Sequence, residues 1–268
     1  MHSRLLWVCL RHLMVGLTFA ALASAAGGQD LPSAATETTS EAGGTHVRLH
    51  TGNGSIHVWR PDGYDAQTAG VVVYIHGYHT SIDQAWTEHR LAEQFQASGR
   101  NALFIAPEAS QFEDDPIKWE SLGELLNVVR EIAGLPLPRG PVVVAGHSGA
   151  YRTMVAWLPH SHITCLIMLD ALYRKEQEFR AWLRGPSDPP TRRIILVGYE
   201  TAKNSDRFAR RSPGGRRRAM IPEDVSQFSK QERQARVLYL RSQYDHMELV
   251  TGGKVIPLLL RLTLLRPV

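Results

Sequence analysis

Residues 142–158, "VVVAGHSGAYRTMVAWL", hold the stretch on which the reading of the whole chain turns. The run Val142, Val143, Val144, Ala145 is continuously apolar and β-branched, the pattern of a strand covered on both faces. Gly146-His147-Ser148-Gly149-Ala150 follows at once, and residues 148–157 then space their apolar side chains as a helix does. A serine between glycines at such a junction has a plain reading as a tight turn. It also has a chemical reading, a nucleophile turn, in which the sharp bend lifts the hydroxyl above the sheet edge and small neighbours let the bend close. The last motif position is Ala150 instead of glycine, still small enough for the helix to pack close. The choice depends on whether the chain also supplies a base, an acid and donors for an oxyanion.

Outward from this stretch, further continuous apolar runs recur at residues 71–75, 102–106, 163–169, 194–197 and 237–240. "THVRLH" and "SIHVWRP" alternate instead around Gly52-Asn53-Gly54, which predicts an antiparallel hairpin. Helical patterns fall at residues 83–98, 117–133, 148–157, 174–183 and 255–265. Strand and helix in alternation predict an α/β fold: a mostly parallel central sheet, helices on both faces and an antiparallel N-terminal hairpin. In such sheets ligands bind at the carboxyl ends of the strands.

Those ends carry His76-Gly77-Tyr78, then Ser148, then Asp170, then "RSQYDH" closing on His246. Serine, acid and histidine in this chain order, each just past a strand, resemble the α/β-hydrolase superfamily from about Thr45 onward. The resemblance implies a serine hydrolase with Ser148 as nucleophile and His246 as general base. It also implies an oxyanion hole from the N–H groups of Gly149 and Tyr78, the latter after a His76-Gly77 similar to the "HG" of lipases and esterases. Asp170, in "LDALY", is similar to the "LDAW" acid of the platelet-activating-factor acetylhydrolases. Glu200 and Asp206 stay open as alternatives, since many α/β-hydrolases place the acid after the next strand, and Asp170 has a second reading as a helix N-cap. His147 reads as packing or support for its neighbour. Loops 78–86, 108–118 and 201–230 are expected to build the pocket, and Trp86, Phe112, Trp119 and Tyr173 read either as an apolar acyl site or as core.

The chain has 268 residues, 43% hydrophobic and 21% charged, with a formal net charge of +4. Residues 1–25 have the order of a signal peptide: Arg4 and Arg11, an apolar segment, then Ala23-Ser24-Ala25 as a cleavage site. Export to a secreted or periplasmic location is therefore expected. Residues 26–44 read as a flexible linker, leaving 45–268 as the hydrolase domain. Of two cysteines, Cys9 falls in the leader and Cys165 inside an apolar strand, so no disulfide is expected. Neither His76/His79 nor His160/His162 has an evident third ligand, so no metal is expected, and nothing calls for a cofactor. Arg207, Arg210, Arg211, Arg216, Arg217 and Arg218 form a basic loop that reads as a solvated insertion or a contact for an anionic surface. Few aromatics interleave them, which argues against nucleic acid. The expected reaction is cleavage of carboxylic esters through an acyl-enzyme. A peptidase, amidase or acyltransferase on the same residues, or a non-catalytic binding protein on this fold, are the rival readings.

Overall fold

The computed structural model describes residues 36–185 and 192–268. The leader and residues 26–35 lie outside that range. Ten strands form one sheet: β1 (Thr36–Ser40), β2 (Gly44–Thr51), β3 (Gly54–Pro61), β4 (Gly70–Ile75), β5 (Ala102–Pro107), β6 (Val142–His147), β7 (Ile163–Leu169), β8 (Arg193–Gly198), β9 (Arg216–Arg218) and β10 (Val237–Arg241). Their spatial order is β1-β2-β3-β5-β4-β6-β7-β8-β10-β9. The first three strands are antiparallel and β3 joins β5 antiparallel, while every pair from β5 to β9 in that order is parallel. The alternating hairpin and the six continuous apolar runs thus occupy the places their patterns predict.

Around the sheet lie α1 (Ile82–Glu88), α2 (Leu91–Ser98), α3 (Leu122–Ala133), α4 (Tyr151–Trp157), α5 (Glu176–Arg184), α6 (Ala202–Arg210), α7 (Lys230–Gln234), α8 (Glu248–Thr251) and α9 (Val255–Leu260). Successive strand residues point to opposite faces, so each face has its own core. Val71, Val73, Val144 and Leu166 pack with Leu125, Met154, Phe179 and Phe208 on one side. Val72, Val143, Ile167 and Ile195 pack with Phe95, Leu249 and Leu259 on the other. None of the described helices is long and apolar enough to cross a membrane.

Several local expectations change. The second half of the expected linker is ordered: Thr36–Ser40, "TETTS", pairs with β2 from Thr36↔Leu49 to Ser40↔Thr45. Thr38 and Thr39, both exposed, have the β-branched side chains that suit an edge strand. The helix expected at residues 83–98 is two helices, broken where Arg90 takes a left-handed φ of 49°. The helix expected from residue 117 begins only after the Ser121 cap, which accepts from Glu124 N–H. The basic loop is itself structured. Arg207 and Arg210 lie on α6, Arg211 caps it, and Arg216, Arg217 and Arg218 are the edge strand β9.

Candidate active site

β6 ends at His147 and delivers Ser148 on a left-handed backbone, φ 53°, which opens a single 3-10 turn (Ser148–Ala150) leading into α4. Only small residues permit this bend. A Cβ on Gly146 would lie 2.6 Å from the Met154 sulfur and 2.9 Å from the Ala150 Cβ, and one on Gly77 would lie 2.9 Å from the Ser148 Cβ. The glycine preceding the serine therefore lets α4 approach its own strand, and the glycine of the facing loop lets that loop approach the serine. A non-glycine residue held at positive φ is strained, and such strain gathers at functional positions.

Asp170 follows β7, also at positive φ (48°), and is fully buried. Its Oδ1 accepts from Tyr199 N–H (2.9 Å), Thr201 N–H (2.8 Å) and Thr201 Oγ1 (2.7 Å), and its Oδ2 from Glu200 N–H (3.0 Å). The remaining bond comes from His246, whose Nδ1 lies 2.8 Å from Oδ2. Burial opposes the charge on Asp170, but the bond from His246 and those from Thr201 and Glu200 outweigh it and hold the carboxyl well below the usual carboxylate range. The bond to Asp170 in turn raises the pKa of His246 against the effect of its burial.

His246 sits in the loop between β10 and α8 and is partly exposed. His147 donates from Nε2 to the His246 carbonyl (3.1 Å), and the two rings lie 4.4 Å apart, centre to centre. Burial, then the neighbouring His246, push His147 down to about 3, so it is a neutral support for the His246 loop. Three of the residues singled out in the sequence, Ser148, Asp170 and His246, thus share the carboxyl edge of the parallel strands.

The two alternative acids part company. Glu200 stays at the site: its carboxylate accepts from the Tyr173 hydroxyl (2.6 Å) and lies within 4.8 Å of ligand atoms of Asp170 and His246. Asp206 points elsewhere, to Arg217 Nε (2.7 Å) and Arg210 Nη2 (2.5 Å). Asp170, Glu200 and His246 have the donor set of a metal site, yet the Asp170 oxygens already accept five hydrogen bonds, which leaves them poor ligands. His76 is spent on the loop it opens. Its Nδ1 donates to Gly77 O (2.7 Å) and its Nε2 accepts from Ala109 N–H (2.9 Å).

That loop carries Tyr78, whose ring lies over Gly149; a Cβ on Gly149 would come within 2.5 Å of it. Tyr78, Ser148, Gly149, Tyr151, Tyr173, Glu113 and Arg174 line a cleft of about 210 Å³. Glu113 and Arg174 pair across its mouth at 3.3 Å. Of the four aromatics weighed for an acyl site, only Tyr173 lines this cleft. Trp86 stacks on His46 and His57, Trp119 donates to Glu108 O in the core, and Phe112 is exposed. Tyr151 is absent from the sequence expectations, though its place three residues after Ser148, one helical turn on, is a legible signal. Arg174 carries no such signal.

A mixed sheet that presents a serine on a left-handed strand–helix turn, and at the same edge carries a histidine bonded to a buried carboxylate, has the architecture of an α/β-hydrolase. The chain belongs to the alpha/beta hydrolase family, whose profile matches residues 72–262. It is similar in fold to an S-formylglutathione hydrolase from Staphylococcus aureus, at 11% identity and a TM-score of 0.51 over 86% of this chain and 98% of that one. A fluorophosphonate-binding serine hydrolase from the same organism matches at 11% identity and TM-score 0.52, over 86% and 99%. A mutant feruloyl esterase module from Clostridium thermocellum, complexed with sinapinate, matches at 12% identity and TM-score 0.50, over 84% and 88%. No curated protein sequence matches the chain.

Proposed function

We propose that this chain is an exported serine hydrolase that cleaves carboxylic esters through an acyl-enzyme. The observation that carries the reading is the 2.8 Å bond from His246 Nδ1 to the buried Asp170, at the sheet edge that also presents Ser148. With Nδ1–H held by Asp170, the lone pair of His246 is on Nε2, the nitrogen that must take a proton. In the reaction Ser148 Oγ attacks the ester carbonyl carbon and its proton passes to His246 Nε2. The carbonyl oxygen becomes an oxyanion received by the N–H groups of Gly149 and Tyr78, donors of a kind worth a few kcal/mol of barrier. Collapse breaks the bond to the alkoxide, which takes the proton from His246, and water repeats the sequence to release the acid. Asp170 keeps its charge throughout and stabilises the imidazolium.

Ester cleavage is supported by the feruloyl esterase module and the S-formylglutathione hydrolase among the fold relatives. The small cleft lined by tyrosines fits an acyl group of modest size. Export rests on the leader alone and predicts a mature N-terminus near Ala26. The test is labelling by a fluorophosphonate probe. The folded wild-type protein should label, Ser148→Ala should not, and a folded Ser148→Ala that labels undiminished would overturn the assignment.

A further inference from the structure

One wall of the cleft beside Ser148 is made by a segment with little to bury. Residues 111–115, between β5 and α3, contribute Glu113 to the lining, yet Phe112, Glu113 and Asp114 are all exposed. The one apolar side chain among them, Phe112, is 53% exposed and belongs to the core of neither sheet face. Packing therefore does not fix where this loop stands. A loop that buries so little holds its place only through polar bonds.

Some of those bonds shape the loop and others place it. Asp115 Oδ2 accepts from the N–H groups of Gln111 (2.9 Å) and Phe112 (3.0 Å), and Asp115 N–H donates to Phe112 O (3.2 Å), so the turn holds its own shape. Its place against the cleft comes from Arg152. Arg152 Nη1 donates to Phe112 O (3.3 Å) and to Glu113 O, and Nη2 donates to Asp115 O (2.8 Å). Nη1 also lies 3.5 Å from the hydroxyl of Tyr78, whose ring covers Gly149. One guanidinium thus holds three carbonyls of the wall, which its planar array of donors suits and a single point donor would not.

The remaining ties are weaker or lie at the start of the loop. His79 N–H donates to Gln111 O (2.8 Å), which anchors the first residue only. The Glu113–Arg174 pair has both side chains more than half exposed, so water screens it. Arg152, by contrast, stands four residues after Ser148, in the first turn of α4, the helix that the nucleophile turn leads into. The arm that holds the wall and the hydroxyl that attacks start from one short, rigid segment. The spacing between them is therefore set locally.

We propose that Arg152 is a positioning residue that sets the acyl length this hydrolase accepts, by holding residues 111–115 as the outer wall of the cleft. The inference rests on the reading of Ser148 as the nucleophile of an ester hydrolase. With the wall in place the cleft holds about 210 Å³ and is bounded on this side by Glu113. A short acyl group fits within it. A longer chain has to push the loop outward against the three bonds from Arg152, so it binds less well than its apolar surface alone would allow.

The test is hydrolysis of p-nitrophenyl butyrate and octanoate by the intact protein, read as the ratio of their kcat/KM values. The wild type should favour butyrate. Arg152→Gln should lower the ratio about tenfold, chiefly through a lower KM for octanoate, a change of the size that a methylene of misfit produces. Arg152→Lys keeps the charge without the planar fork and should lower the ratio in the same way; it carries the test if Arg152→Gln fails to fold. Arg180 also braces backbone, donating to Phe208 O (3.2 Å) and to Ser212 Oγ (3.2 Å), but does not line the cleft. Arg180→Gln should therefore cost stability and keep the wild-type ratio. Amide hydrogen exchange of residues 111–115 should be faster in Arg152→Gln than in the wild type or in Arg180→Gln, a readout that needs no activity. A wild type that prefers octanoate, an unmoved ratio in a variant that still cleaves butyrate, full selectivity with lysine, or unchanged exchange in the loop each overturns the proposal. A wild type that cleaves neither ester and takes no fluorophosphonate label fails the hydrolase reading itself and this inference with it, a result distinct from the others.

Discussion

His246 and His57 each place a ring nitrogen 2.8 Å from a carboxylate oxygen, yet one has its pKa raised and the other has it lowered. The difference lies first in burial, which outweighs the carboxylate at His57 but not at His246, and second in what else holds the carboxylate. Asp170 is surrounded by neutral donors, three backbone N–H groups and a hydroxyl, so its full charge remains for His246. Asp83 is gripped by the Arg48 guanidinium through Nε and Nη2, both at 2.7 Å, and although Asp83 still raises the pKa of His57, the Arg48 charge works against it. Burial then dominates His57, and Arg48 adds to the effect. His57 also stacks on His46 and Trp86, with His46 Nε2 2.9 Å from its Nδ1. A short contact to a carboxylate therefore does not by itself make a base. Neutral hydrogen bonds to the carboxylate leave its influence whole, a counter-charge offsets part of it, and burial decides the balance.

The largest effect that follows is on turnover. Asp170→Asn should cut ester turnover by about 10⁴, the cost of losing tautomer control and imidazolium stabilisation in a triad, while Asp83→Asn should leave turnover unchanged. The pH profile gives the sign. His246 acts as a base only when neutral, so kcat/KM should fall as pH drops through its pKa, on a limb lying above the ordinary 6.5 because the pKa is raised. In Asp170→Asn that limb should move to lower pH. The Asp83 side chain is 45% exposed, so its ion pair is screened, and Asp83→Asn should cost only about 1 kcal/mol of stability in urea unfolding. That contribution is present above the ordinary aspartate pKa and is lost as pH falls through the depressed folded value. Equal loss of turnover from the two variants would erase the distinction.

A smaller effect tests the distinction inside the site itself, between Asp170 and Glu200. Glu200 accepts from the Tyr173 hydroxyl, and burial, with Glu200 next, raises the pKa of that hydroxyl, so Tyr173 is a protonated donor beside the cleft. Ser148 is also among the groups acting on it. Tyr173→Phe removes one charged hydrogen bond and no proton carrier, so kcat/KM in an ester assay should fall by about tenfold at most. Its acid limb should stay where the wild type has it. A loss as deep as that of Asp170→Asn would mean that Tyr173 handles the proton.

The fold was legible because its signals are local and repeated. Continuous apolar runs mark strands buried on both faces, and the glycines of Gly146-His147-Ser148-Gly149 mark a bend that nothing larger fits. Asp170 was legible by its place at a strand end, as Ser148 and His246 were. What stayed hidden depends on pairing between distant segments. That Thr36–Ser40 is a strand follows from β2 offering an edge, and "TETTS" has no apolar rhythm of its own. That residues 207–218 are a helix and a strand follows from Asp206 and Glu232 gathering arginines that look like a charged loop when read in line.

The smallest expected effect on activity is the one that bears most directly on the two histidines. If Arg48 is what separates His57 from His246, Arg48→Gln should return the charge of Asp83 to His57 and raise the His57 pKa, with turnover unaffected. The neighbouring groups bear on the size of that rise. His46 is held down to about 4 by its burial and by His57, and it meets Glu41 at 2.9 Å through Nδ1. Three short contacts run from Glu41 through His46 and His57 to Asp83. Each needs one proton, and two neutral imidazoles supply only two. The third belongs to Glu41, whose pKa burial raises, or to an imidazolium shared by the pair. Removing Arg48 lowers the cost of the imidazolium, because a positive neighbour leaves and the carboxylate is freed. Proton-detected NMR of the histidine rings should therefore show His57 titrating at higher pH in Arg48→Gln, with His246 unmoved. An unchanged His57 would assign its low pKa to burial alone, and the contrast with His246 would then rest on solvent access instead of on competition for the carboxylate.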